Sequence, residues 1–293
     1  MVHFRLLLLE LYYRASCPYR WWWHRRAAAA HREPVVVLFY HRIADDRANA
    51  WTTSHRHFAR QIEWLARHFQ IVSLEEAQRR IRVGNDRPCA SITFDDGYAE
   101  NCRAAIPTLI RRRIPCTYFV TLDHVLHGEP FAHDVAQGNR FAPNSLKQLR
   151  AMAGAGIEIG AHTYTHPDLA RITDEDRLRR EVVEAGRELA DLLGRPVRYF
   201  AFPFGQRENL TSRAFQLARE AGYEAVCSAY GGYNFPGDDP FHLQRIHVDD
   251  DLVRLKNRAT VDPRKIETPR FTYEVPADRG RVEAPGPRPV GSF

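Results

Sequence analysis

Ser91-Ile92-Thr93-Phe94-Asp95-Asp96-Gly97-Tyr98 runs an apolar, β-branched and aromatic pattern directly into two adjacent carboxylates and a glycine turn. A second stretch, Ile157-Glu158-Ile159-Gly160-Ala161-His162-Thr163-Tyr164-Thr165-His166, also ends a strand pattern, here with two imidazoles four positions apart. Apolar runs recur at Val35 to Tyr40, Cys116 to Val120, Tyr199 to Phe202, Ala225 to Ser228 and Leu243 to Val248. Helical patterns lie between several of them, so strands alternate with helices and a parallel sheet follows. Phe58, Ile62, Leu65 and Phe69 recur at helical spacing over Ser54 to Phe69. Thr173 opens a charged helix with Asp174 to Asp176 in its first turn, complementing the dipole, and Gly194 and Pro196 stop it after Leu193.

The two quoted stretches together offer two imidazole nitrogens, a ligating oxygen and a spare carboxylate. Three protein ligands leave a coordination position open for water, whose pKa a metal lowers from 15.7 toward ~7. A carboxylate that does not bind the metal can accept the proton. Neighbouring carboxylates on a turn need not point the same way, so Asp96 can ligate while Asp95 faces a substrate; spacing alone leaves the opposite assignment open. Taken singly, each motif is weak. Asp-Asp-Gly suits turns, and with 14 histidines in the chain a His-x-x-x-His arises by chance. Their order and their shared position at strand ends make the metal site the better reading.

Thr93-Phe94-Asp95-Asp96-Gly97 and His162-Thr163-Tyr164-Thr165-His166 resemble the first two motifs of the polysaccharide deacetylases of carbohydrate esterase family 4. The resemblance implies Asp95 as general base, Asp96, His162 and His166 as ligands of a divalent metal, usually zinc, and removal of acetyl groups from N-acetylated amino sugars. Phe202-Pro203-Phe204-Gly205 is similar to the third motif. It would line the substrate groove, with the Phe204 N–H helping to bind the oxyanion. Ala201 stands where that motif carries an arginine, so the partner that orients the base is missing or comes from elsewhere. The family's later motifs have no clean match around Tyr230-Gly231-Gly232 or Arg245-Ile246-His247. Val35 to Arg42 resembles the opening strand of exopolysaccharide-processing members, which implies His41 as general acid with His247 as second candidate. For His41 the competing reading is a packing histidine at a strand end, and for Phe204 it is ordinary aromatic core packing. Seven strand-like segments with every candidate at a strand's C-terminal end, taken together with the family resemblance, imply a distorted, incomplete (β/α) barrel of about seven parallel strands.

The resemblance spans roughly residues 34–260 of 293, and length with 44% hydrophobic residues suits one substantial core. The net charge of +6 is mostly arginine, since only Lys147, Lys256 and Lys265 are lysines. No aromatic-interleaved basic stripe accompanies it, so nucleic acid is not an expected partner. The five cysteines are odd in number and three lie in or beside apolar strands, as small buried thiols would, which favours a reduced compartment.

Residues 1–33 join Leu6 to Leu9, Tyr12, Tyr13 and Trp21-Trp22-Trp23 with interspersed arginines. Glu10 and Arg14 interrupt the apolar run well short of the ~20 residues a membrane span needs. No small-residue cleavage site marks a signal peptide. A basic, aromatic amphipathic helix on an anionic membrane surface and a helix packed on the barrel are equal expectations; the location is then cytoplasmic, or peripheral at the cytoplasmic face of a membrane. Residues 261–293 are rich in Pro, Arg and Gly and are expected to be disordered. Two rival functions stay open on the sequence: another amide hydrolysis, such as deformylation of a lipid-linked sugar or opening of a small cyclic amide, and glycan binding without catalysis.

Overall fold

The structure, a computed structural model, describes residues 2–274. Its strands are β1 (Val35–Tyr40), β2 (Arg42–Ile43), β3 (Thr52–Thr53), β4 (Gln70–Ile71), β5 (Cys89–Phe94), β6 (Cys116–Val120), β7 (Glu158–Ala161), β8 (Tyr199–Ala201), β9 (Ala225–Cys227), β10 (His242–Leu243) and β11 (Arg245–His247). Eight of them follow the path β10-β9-β8-β7-β6-β5-β1-β11, with β4 beside β5, and every pairing is parallel. Only Gln244 separates β10 from β11. One bent segment therefore pairs with β9 through its first half and with β1 through its second, which all but closes the barrel. The seventh expected strand is this bent one, so the barrel has eight parallel strands where the sequence suggested about seven.

The strand sequences explain the burial. All six residues of β1 and all six of β5 are buried, as expected where helices cover the outside of a parallel sheet and side chains fill its inside. The helix His55–His68 lays Phe58, Ile62 and Leu65 on that sheet, and the Ser54 hydroxyl caps it by accepting from the His57 N–H. The charged helix begins one residue later than expected, because the Asp174 side chain takes the capping bond from the Arg177 N–H. It is also not uniform: Arg180–Glu184 forms a π turn before the helix resumes over Ala185–Leu193. Gly194, at φ 65°, ends it.

The N-terminal segment is a helix, α1 (Val2–Ala29). Arg20, itself buried, fastens it to the barrel: Nη1 donates to the carbonyls of Asn257 and Val261 at 2.9 and 3.1 Å, and Nη2 to Asn257 Oδ1 at 3.0 Å. The Tyr12 hydroxyl donates to Asp262 at 2.8 Å. Residues 262–274 depart from the expectation of a disordered tail. Phe271 and Tyr273 stack on Phe215 at ring separations of 5.5 and 4.1 Å, and Arg270 pairs with Asp238 at 2.6 Å. This stretch still carries aromatic side chains to bury; the Pro- and Arg-rich composition that suggested disorder belongs mainly to residues 275–293, which lie outside the described residues.

Candidate metal centre and active site

Asp95 and Asp96 leave the end of β5 in different directions because the backbone turns sharply there. The Asp95 N–H still donates to Tyr40 O at 2.9 Å, continuing the ladder with β1, whereas Asp96 and Gly97 adopt φ of 70° and 84°. An aspartate tolerates that left-handed conformation better than most residues. The two carboxylates consequently face different partners.

Asp96 meets the histidines. His162 and His166 bring Nε2 to 3.4 and 3.3 Å from Asp96 Oδ1. These separations are long for hydrogen bonds, and Asp96 Oδ1 is a buried oxygen without a hydrogen-bond partner. They match the edge of a tetrahedron whose centre lies ~2.05 Å from each corner, about 3.3 Å, which is the spacing of nitrogen and oxygen ligands around zinc. One oxygen and two nitrogens from these residues all lie within 4.8 Å of one another. The ring of His162 is also oriented correctly, because Nδ1 lies 2.8 Å from the Ala201 carbonyl. A proton on Nδ1 leaves the Nε2 lone pair aimed at the centre. The residues present therefore fit a divalent metal, with Asp96, His162 and His166 as its ligands.

The loop bearing His166 is held from behind by a residue that the sequence did not single out. Glu181 sits in the π turn, buried; its Oε2 accepts from the Tyr164 and Thr165 N–H groups at 2.9 and 2.8 Å and its Oε1 from the Thr165 hydroxyl at 2.6 Å. Thr163 and His166 have φ of 66° and 61°. Such conformations persist where surrounding bonds over-determine them, and π turns often occur at functional sites. The charged pattern of this helix gave no sign of an inward-pointing glutamate.

Asp95 meets Arg245. The guanidinium grips the carboxylate through both nitrogens, Nη1 to Oδ1 at 2.6 Å and Nη2 to Oδ2 at 2.8 Å, while Nε donates to the Ser228 carbonyl at 3.0 Å. Arg245 is fully buried and lies over the Phe39 ring at 4.7 Å. The orienting arginine absent at Ala201 thus comes from β11, which only β1 separates from β5, and the Ala201 backbone serves His162 instead. A signal existed in the sequence: in Leu243 to Val248, Arg245 shares the alternation of Leu243 and His247, so a charged side chain faces inward.

Burial works against both charges, yet both carboxyls are held below the usual range. For Asp95 Arg245 outweighs burial; for Asp96 the two histidines do, holding it well below. Burial lowers His166 despite the pull of Asp96.

The remaining candidates line a cleft of about 580 Å³ above these groups. His41 and His247 face each other on one wall, 5.9 Å between ring centroids, with Trp51 packed 4.8 Å from the first and 5.2 Å from the second. Burial lowers the His41 pKa to about 4 against the pull of Asp96 and Asp95. Asn101 fixes its backbone, donating to the His41 carbonyl at 2.7 Å. His247 Nδ1 lies 3.3 Å from Asp249. Opposite, Phe204 is 55% exposed with φ 58°, its ring 5.4 Å from that of His166, so it is a wall of the cleft and not a core aromatic. Pro203 is buried beneath it. Gly205 is required there, since a Cβ would lie 2.8 Å from the Ala229 backbone nitrogen. Trp51, His133 and Gln137 also border the cleft. They come from connections whose sequences carry no periodic signal.

Residues 82–226 match the family model for polysaccharide deacetylase. The chain is 23% identical over 212 residues to YxkH of Bacillus subtilis, which is named as a polysaccharide deacetylase, covering 71% of this chain and 69% of that one. It is 29% identical over 126 residues to a chitooligosaccharide deacetylase of Sinorhizobium fredii, covering 42% of this chain and 50% of that protein, so the match spans only half of that relative's length. The structure of IcaB from Ammonifex degensii superimposes with a TM-score of 0.65 at 26% identity, covering 78% of this chain and 97% of that one. The fold is a nearly closed (β/α) barrel that carries a candidate metal site of Asp96, His162 and His166. The chain carries a polysaccharide deacetylase domain of carbohydrate esterase family 4.

Proposed function

We propose that this protein is a metal-dependent hydrolase, most simply a zinc enzyme, that removes N-acetyl groups from an amino-sugar polysaccharide or oligosaccharide, with an exopolysaccharide as the favoured class. The observation that carries the reading is the pair of neighbouring carboxylates with separated partners: Asp96 beside two histidine Nε2 atoms and Asp95 clamped by Arg245. A divalent cation held by Asp96, His162 and His166 would polarise the amide carbonyl and make water acidic enough to deprotonate near neutral pH. Asp95 takes the proton from the attacking water. Because Arg245 favours the charged form of Asp95, the protonated carboxyl gives that proton up readily. His41 rests neutral, since burial lowers its pKa to about 4; it would first take up a proton, in net the one that Asp95 releases, and then pass it to the departing amine, so the proton removed from water ends on the amine. The Phe204 N–H helps to stabilise the carbonyl oxygen as charge develops on it.

His247 is the second candidate for the acid, favoured by one observation, the carboxylate of Asp249 beside its Nδ1. Glycan binding without catalysis loses its main support, because the arginine lacking at Ala201 has a replacement in Arg245. The decisive experiment pairs metal content of the purified protein with acetate release from N-acetylglucosamine oligomers before and after chelation. Chelator-sensitive acetate release supports the proposal. Bound metal with release of formate, or opening of a cyclic amide, from a substrate panel redirects it to another acyl group. Absence of metal after reconstitution refutes it.

A further inference from the structure

The helix α1 is apolar on two sides, and only one of them meets the barrel. Arg20 and Ala27 are buried against it. On the other side Phe4, Leu7, Leu8, Leu11, Tyr19 and Trp22 recur at spacings that keep one face of a helix, and all are 45–65% exposed. Leucine and phenylalanine occupy the first half of this face, tyrosine and tryptophan the second. The charges are nearly all of one sign. Arg25 lies over the exposed Trp21 ring at 4.8 Å and Arg26 over Trp22 at 5.0 Å. Arg14 is exposed as well; the acid beside it, Glu10, is already paired with it at 2.8 Å.

We infer that this face docks the protein on the surface of an anionic lipid bilayer. Exposed leucine and phenylalanine gain by entering the acyl boundary, tryptophan and tyrosine favour the headgroup level, and arginines beside them attract anionic lipid. No helix among the described residues is long and apolar enough to cross a membrane, so the contact lies in the plane of the interface. A 28-residue helix is about 42 Å long at ~1.5 Å per residue, enough for the leucine half and the tryptophan half to engage together. The bonds of Arg20 keep the outer face turned away from the barrel. A second copy of this chain is the poorer occupant: face-to-face pairing would set Arg14, Arg25 and Arg26 against one another with no unpaired carboxylate in the face.

The test is co-sedimentation of the full chain with vesicles of phosphatidylcholine alone and with 30% phosphatidylglycerol added, at low and at high salt. The expected result is partitioning that rises with anionic lipid and falls with salt. The combined substitution Arg14→Gln, Arg25→Gln, Arg26→Gln should weaken binding to the anionic vesicles about a hundredfold, near fivefold per arginine, and Leu7→Gln, Leu11→Gln, Trp22→Gln should weaken binding to both compositions. These side chains are exposed, so an unchanged melting temperature shows that the barrel is intact. Failure of the natural chain to bind either vesicle overturns the proposal. So does a dimer in light scattering that only the leucine and tryptophan substitutions dissolve, which would assign the face to a second copy.

Discussion

The floor of the cleft and the outward face of α1 hold unusual side chains for opposite reasons. On the floor, buried charges are fixed by partners from distant parts of the chain: Asp95 by Arg245 two strands away, and the His166 loop by Glu181 from a π turn. On α1, the large apolar side chains of the outer face meet no core. A buried charge is costly unless paired, so the floor survives only as a set. An exposed apolar stripe is tolerated singly but uncommon as a continuous patch. The first region is built to hold a geometry, and the second is left free to meet something outside the molecule.

The strongest test of the floor removes its base. Asp95→Asn keeps the three candidate ligands and should retain metal while lowering kcat about 10²–10⁴-fold; His162→Ala should lose the metal itself, as elemental analysis would show. Activity near that of the natural chain in the first variant would remove Asp95 from the mechanism. Next comes the clamp. Arg245→Leu strands a buried carboxylate, and breaking such a pair costs about 3–5 kcal/mol, to be read by denaturant unfolding. Asp95 is depressed by Arg245, so without the guanidinium its pKa rises and the acidic limb of the pH–rate profile moves to higher pH. An unmoved limb would mean that Arg245 only fills space.

A smaller effect is expected one step further out. Glu181→Gln keeps the shape but weakens the bonds to the Tyr164 and Thr165 N–H groups, and loss of such support behind a ligand lowers metal affinity roughly 10–100-fold. Metal titration of the substituted chain against the natural one reads this directly. Equal affinity would make Glu181 a partner of the helix alone.

Legibility followed the range over which each feature is specified. Seven strand positions and the candidate ligand triad are written in contiguous stretches, where alternation and the short spacing from His162 to His166 survive without knowledge of the fold. The clamp joins Asp95 to a residue 150 positions away, and only the register of β1 with β11 brings them together; the in-strand arginine showed that a buried charge existed, not which carboxylate it would meet. Trp51 comes from a turn before β3, and His133 and Gln137 from the five-residue helix Ala132–Ala136 and its C-cap, a connection whose course depends on packing. The helical state of α1 had a local signature, but its two-sidedness did not: tyrosines, tryptophans and arginines on opposite faces look alike in sequence, and of the arginines in α1 only Arg20 is buried.

The seam between α1 and the barrel allows the two regions to be separated by pH. Asp262 is buried, and burial works against its charge, but Arg264 at 2.7 Å and the Tyr12 hydroxyl at 2.8 Å outweigh it and lower its pKa from 3.8 to about 2. A carboxyl depressed in the folded state contributes stability that is fully present above its unfolded pKa and lost as pH falls through the folded value. The contribution here is therefore complete above about pH 4 and disappears toward pH 2, amounting to about 2 kcal/mol. Asp262→Asn should be less stable than the natural chain at pH 6, and the gap should narrow steadily between pH 4 and 2 as the natural chain loses its charge. Tryptophan fluorescence adds a local reading, since Trp23 packs edge-on against Phe235 at 6.2 Å on this side of the molecule. If α1 is held mainly by the carbonyl bonds of Arg20, that signal should stay constant while overall stability falls. A fluorescence change that tracks protonation of Asp262 would instead make the Tyr12 contact the fastening that acid releases first.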